Sequence, residues 1–411
     1  MQVVYVPNQP PATYAKSIFL AGPSPRDPAQ PNWRPEALKL LEQQGYDGVV
    51  FVPLPESGDW SHGYDAQVAW ELENLDRADQ IVFWVPRSKD LPALTTNIEF
   101  GRYFDSGRAV LGYPSGAPNM RYLEAIGKPE GVPVLNTLEA TLAEAVKRIG
   151  AGASRTDGER FVPLGIWKLP HFQGWYKSQV EAGNRLDGAK VLFTFRVGPN
   201  KGFTFAFILH VDVHIASEGR NKTNEFIFAR PDIATVVGYF KPPVDGTMMS
   251  MMEHTAFMSS SARLRDTEIA IIREFRSPAR TTDGFIREIP GGSSWKPGDD
   301  PFVTMTHELE EETGLGAKSG FAIDPSRLRK VGARQLCGTL SVHQAHTFAC
   351  ELTEAEMAYL KEQQATNAVH GVIEDTERTY VEIHRLGDLI AADSNLLDWS
   401  MLGQILTALV Q

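Results

Sequence analysis

Cysteine is nearly absent from the 411-residue chain: Cys337 and Cys350 are the only two, too few for a disulfide scaffold and not spaced as metal ligands. No apolar run approaches the roughly 18 residues that a membrane helix needs. The opening residues, MQVVYVPNQPPATYAK, lack the basic start and apolar stretch of a secretion signal. The expectation is a cytoplasmic protein with no membrane partner. Positive charge is also in short supply. Acidic residues outnumber basic ones 51 to 40, for a net charge of −11, and the excess is acidic on both sides of residue 150. A nucleic-acid polymer is therefore not expected as a partner. Small phosphorylated molecules remain open, because a helix N-terminus or a bound cation can hold a phosphate in an acidic protein. Repeats and low-complexity tracts are missing as well, and a composition 42% hydrophobic and 22% charged belongs to folded domains rather than disorder. The length suggests at least two domains.

What is present divides near residue 150. Before it, short apolar runs at 17–21, 49–52, 81–85, 109–112 and 132–135 alternate with helical patterns at 33–44, 65–76, 97–106, 120–126 and 138–149. The runs are apolar throughout, as strands covered on both faces are. Five such strands alternating with helices predict a doubly wound, five-stranded parallel α/β sheet over residues 1–150. Its ligand site is expected at the carboxyl ends of the strands. Residues 150–160, GAGASRTDGER, are small and polar and read as a linker, and 151–205 as linker and β-rich extension. From 206 to 411 the texture is mixed α+β, with strand patterns at 225–229, 234–239 and 268–275 and helical patterns at 301–313, 354–364 and 397–409.

Two groups of carboxylates carry the candidate chemistry. In the first half, Gly22 and Pro23 follow a strand, and a glycine there lets a ligand approach the backbone. Glu71 and Asp79 precede the third strand, and Glu99 stands near the start of a helix in Asn97-Ile98-Glu99-Phe100-Gly101. A first-turn Glu commonly just complements the helix dipole. The same dipole would keep it ionised and available as a nucleophile. In the second half, Asp300 can cap a helix that starts at Pro301 and stops at Gly314. Within it Glu308, Glu311 and Glu312, spaced i, i+3, i+4, share one face. Such a face is often merely solvated. Three clustered carboxylates also suit Mg²⁺ or Mn²⁺.

FLAGP, the acidic residue before the third strand and the N-I-E-F-G segment together resemble the nucleoside 2-deoxyribosyltransferase family over about 150 residues. The resemblance implies that Glu99 attacks the anomeric carbon of a nucleoside while Asp79 or Glu71 assists the departing base, with Gly22, Pro23 and Asn97 near the substrate. His307 to Leu315, HELEEETGL, resembles the second half of the Nudix box, with His307 where that family has Arg and Asp299 in place of its first Glu. This second likeness implies a Nudix α/β/α sandwich that hydrolyses a nucleoside diphosphate linked to a further group, with an ADP-sugar such as ADP-ribose the first guess. Glu308, Glu311 and Glu312 would hold the divalent cation, Glu374 or Glu377 would act as general base, and Arg276 and Glu288 would contact substrate. The expected protein is a bifunctional nucleotide-processing enzyme and, by analogy with both families, a homo-oligomer. The alternative is a nucleotide sensor in which one domain binds without turnover.

Overall fold

The computed structural model describes residues 1–25, 31–243, 263–293, 299–372, 376–391, 394 and 396–411. The chain forms two compact units, Met1–Arg230 and Pro231–Gln411.

The first unit is built on a parallel sheet in the order Gln2–Tyr5, Val49–Val52, Ser17–Ala21, Gln80–Trp84, Ala109–Gly112, Val134–Leu135. Every residue of the four central strands is buried, which is why their apolar runs are so legible. The sheet has six strands, not the expected five. The additional one, Gln2–Tyr5, is an edge strand in register with Val49–Val52 and only half covered, so it lacks the continuous apolar signature. From Ser17–Ala21 the chain moves first to one neighbour and then to the other, so the switch point falls between the carboxyl ends of Ser17–Ala21 and Gln80–Trp84. Helices Arg34–Gln43, Tyr64–Arg77, Leu94–Tyr103, Arg121–Gly127 and Leu138–Ile149 alternate with the strands.

Residues 150–160 are not a free tether. Arg155–Thr156 pairs with Thr13–Tyr14, and Arg155 is fully buried. Polar composition misleads here because the Arg155 charge is matched inside the fold. Helices Leu164–Trp167 and Pro170–Glu181 follow, then an antiparallel sheet of Arg185–Val197, Phe203–Ile215 and Arg220–Ala229. Residue 206, where the sequence pattern starts the second domain, lies inside the middle strand of that sheet, and the sheet belongs to the first unit.

The second unit holds a seven-stranded mixed sheet. Ile233–Phe240 runs parallel to Gln344–Glu351 and antiparallel to Glu268–Phe275 and Gly291–Gly292. Glu268–Phe275 in turn pairs with Phe285–Glu288 and Thr379–Arg385. Alternate residues serve opposite faces, as strand geometry requires. Val236, Ala270 and Val381 pack with Met305 and Leu309 of helix Pro301–Thr313. Val237, Ile269 and Ile271 pack with Met401 and Ile405 of helix Trp399–Val410. Helix Pro301–Thr313 begins and ends as its caps dictate: the Asp300 carboxylate accepts from Phe302 N at 3.0 Å, and Gly314 stops it at φ 75°. No helix among the described residues is long and apolar enough to cross a membrane.

Candidate functional site

At the switch point of the first unit, Gly22 has φ +154°, and a Cβ on it would sit 2.2 Å from the Trp84 carbonyl oxygen and 2.8 Å from the Trp33 ring. Only glycine lets the two strand ends close together here. Arg34, buried at the start of its helix, is held by this turn: Nε donates to Leu20 O at 3.2 Å, Nη2 to Gly22 O at 2.7 Å and Nη1 to Ser24 Oγ at 3.3 Å. Burial pulls its guanidinium down to about 10, and the charges of Glu99 and Glu71 oppose the fall. The Pro23 carbonyl accepts from Trp33 Nε1 at 3.2 Å.

The charges of Glu99 and Glu71 thus act on one buried cation. Glu71, on helix Tyr64–Arg77, accepts from Gln67 Nε2 at 2.6 Å. Gln67 is buried, also donates to Pro53 O at 3.2 Å, and meets His62 Nε2 at 2.8 Å through Oε1. Burial raises the Glu71 carboxyl, and the Gln67 bond and Arg34 offset part of that rise. Glu99 is pushed up to about 8, by burial first and the Glu71 charge second. The helix dipole does not prevail as expected. The helix starts at Leu94, which puts Glu99 in its second turn, where the dipole has faded. Asn97, two residues earlier, accepts a hydrogen bond from Arg87 Nη2, and Arg87 Nη1 donates to Asn119 O at 3.0 Å. The Glu71 charge thus favours a proton on Glu99, and two neighbouring carboxyls are the equipment of acid–nucleophile pairs at glycosidic bonds.

Asp79 is not part of that group. It precedes Gln80–Trp84, at the amino end of the sheet, and its carboxylate is fully engaged. Arg155 donates to it at 2.8 and 2.6 Å, Ser17 N at 2.8 Å and Leu164 N at 2.7 Å. The choice between Glu71 and Asp79, open from the sequence, is thereby narrowed by position.

In the second unit a different acidic group assembles. Carboxylate oxygens of Glu274, Glu312 and Glu377 all lie within 4.8 Å of one another. Glu312 is buried and accepts from Gly291 N at 2.8 Å. Glu308 rests against Gly292, where a Cβ would stand 2.2 Å from its Oε1. Arg276 spans the edge of the cluster, with Nε donating to Glu288 Oε1 at 2.7 Å and Nη2 at 2.8 Å from Glu274 Oε2. Glu311 is turned aside, with Oε2 at 3.3 Å from His307 Nδ1. Glu374 lies outside the described residues. Burial and mutual repulsion push Glu274 and Glu308 up to about 7 and Glu312 well above the usual carboxylate range. Oxygen donors this crowded, partly buried and short of positive partners fit a hard divalent cation. Glu274 was not foreseen. It sits in the strand EIAIIREF, and nothing local distinguishes it from an edge-facing glutamate until Glu312 packs beside it.

Compared with known proteins, the whole chain has no match among curated ones. Residues 15–117, which carry Gly22, Arg34, Glu71 and Glu99, match the family described as "Nucleoside 2-deoxyribosyltransferase like", and form a domain similar to that family.

Proposed function

We propose that the chain processes nucleotides at two sites, one in each unit. In the first, the Glu99 carboxylate attacks the anomeric carbon of a nucleoside or nucleotide, the N-glycosidic bond breaks, and the departing base takes its proton from Glu71. The resulting sugar–Glu99 ester then passes to water or to another base. The single observation that carries this reading is the electrostatic coupling of Glu99 to Glu71, and of both to buried Arg34, at the switch point, where α/β sheets bind ligands. The Arg34 charge opposes the rise of both carboxyls and so favours their ionised forms. Gly22 lets the two strand ends close together at this point, and its carbonyl holds Arg34.

In the second unit, the acidic group and the HELEEETGL helix support Nudix-type hydrolysis of a nucleoside diphosphate joined to another group, with an ADP-sugar the first candidate. Glu312, Glu308, Glu274 and Glu377 would hold Mg²⁺ or Mn²⁺, with Glu311 at the margin. Such an ion, when bound, polarises a diphosphate and acidifies a water molecule. The protein's own part is to keep these carboxylates gathered: Gly291 N orients Glu312, Gly292 makes room for Glu308, and Arg276 steadies Glu274 and Glu288.

Incubation with a panel of nucleosides, nucleoside monophosphates and ADP-sugars, with and without Mg²⁺, followed by mass spectrometry, identifies the bonds that break. Loss of free-base release in Glu99→Ala supports the first reaction. Unchanged release would remove Glu99 from it, and altered diphosphate hydrolysis in the same variant would favour a nucleotide sensor. Mg²⁺-dependent hydrolysis that survives Glu312→Gln would defeat the second.

A further inference from the structure

The amino ends of the parallel sheet, opposite the Glu99 end, open into a cleft of about 980 Å³ within the first unit. One side is made by the ends of its helices and the other by the hairpin of Arg185–Val197 and Phe203–Ile215. The wall is closely fitted. Gly131, at φ +72°, would place a Cβ 1.9 Å from the Asn200 carbonyl oxygen, so the hairpin turn seats directly on it. Gly107 lies under Arg196 in the same way, with a Cβ 2.7 Å from Nε.

Three arginines line this cleft, and all spend their hydrogen bonds on backbone carbonyls. Arg108 Nη1 donates to Leu75 O at 2.9 Å and Ala78 O at 2.6 Å. Arg148 Nη2 donates to Gly107 O at 2.9 Å, and Arg196 Nη1 to Glu130 O at 3.1 Å. Among the described residues none of the three has a carboxylate at ion-pairing distance, and the buried Nε of Arg148 has no hydrogen-bond partner. Lys168 adds a fourth charge, donating to Ala151 O at 3.0 Å. Of the two carboxylates in the lining, Asp79 is taken by Arg155, while Glu144 stands 3.8 Å from Lys147 and offsets part of the burial cost of Arg148 without pairing with it. Burial and the neighbouring Arg148 charge push the Arg196 guanidinium down, and the charges of Glu130 and Asp105 offset only part of the fall. Carbonyls at the end of helix Tyr64–Arg77 explain the placement of Arg108, and loop or turn carbonyls that of Arg148 and Arg196. Even a helix end, at about half a charge, does not neutralise a guanidinium.

Guanidinium groups with spare donors in a walled cleft match the oxygens of a phosphate. We propose that this cleft binds a phosphate-bearing anion of nucleotide size, held by Arg148, Arg196 and Arg108. The site is remote from Glu99 and independent of the chemistry assigned to it.

Titration calorimetry of the full chain with inorganic tripolyphosphate tests this, in EDTA so that no divalent cation bridges the ligand to the acidic group of the second unit. The expected result is one-to-one binding that weakens at least ten-fold in Arg148→Gln and again in Arg196→Gln, with Glu99→Gln binding as the unaltered protein does. A second measurement needs no variant: tripolyphosphate should slow acetylation of exposed Lys168. Absence of saturable binding, equal affinity in the Arg148→Gln/Arg196→Gln double variant, or undiminished Lys168 acetylation would each overturn the assignment.

Discussion

Arg155 places both terminal nitrogens on the Asp79 carboxylate, at 2.8 and 2.6 Å, and solvent reaches neither side chain. The pair ties the strand start at Gln80 to a segment that reads as a linker, and leaves Asp79 no free lone pair with which to serve a substrate.

Removing one partner strands the other. Arg155→Ala leaves a buried carboxylate without its cation and is expected to cost about 3–5 kcal/mol. Asp79→Asn with Arg155→Met should recover much of that loss. Denaturant unfolding measures both, and an unchanged midpoint in Arg155→Ala would show that the pair is not buried in solution.

The carboxyl pair at the switch point makes activity and stability depend on pH. Burial and the Glu71 charge push Glu99 up to about 8, so at neutral pH it is held mostly protonated. As the nucleophile it must lose that proton, so kcat/KM for base release should rise as pH climbs towards about 8. The stability sign follows from linkage: a group raised in the folded state stabilises fully below its unfolded value near 4.5 and loses that contribution as pH climbs through about 8. The melting temperature should decline over this window, and Glu99→Gln should flatten the decline.

The acidic group of the second unit should respond to metal. Mg²⁺ is expected to raise the melting temperature of the unaltered protein and to leave Glu312→Gln unmoved. Without metal, Glu312→Gln should be at least as stable as the parent, because it removes one of several carboxylates that repel one another. Thermal unfolding with and without Mg²⁺ reads both effects, and an equal Mg²⁺ shift in the variant would place the ion elsewhere.

Gly22→Ala tests the switch-point turn. Its Cβ would overlap the Trp84 carbonyl oxygen, and the strands must part to admit it. The expected loss is about 1–3 kcal/mol, together with a drop in base release, because Gly22 O also holds Arg34 Nη2. Full activity in this variant would show that the turn relaxes without disturbing the site.

Much of the fold is legible in the sequence, and the misses share one cause. The central strands Ser17–Ala21, Val49–Val52 and Ala109–Gly112 announce themselves because burial on both faces leaves only apolar residues. Gln2–Tyr5 does not, being an edge strand. Helix Pro301–Thr313 is marked by Asp300, Pro301 and Gly314, all local signals. Arg155 misled because a lone arginine in a polar stretch looks solvated until its distant partner is known.

By itself the sequence determined where strands and helices run and which carboxylates were worth watching, since periodicity, caps and glycines act over a few residues. Tertiary structure alone decided which of those groups share a site. It separated Asp79 from Glu71, joined Glu274 to Glu312, and lifted Glu99 against its helix dipole. Burial and Coulomb interactions depend on neighbours brought in from far along the chain, and no local pattern encodes them.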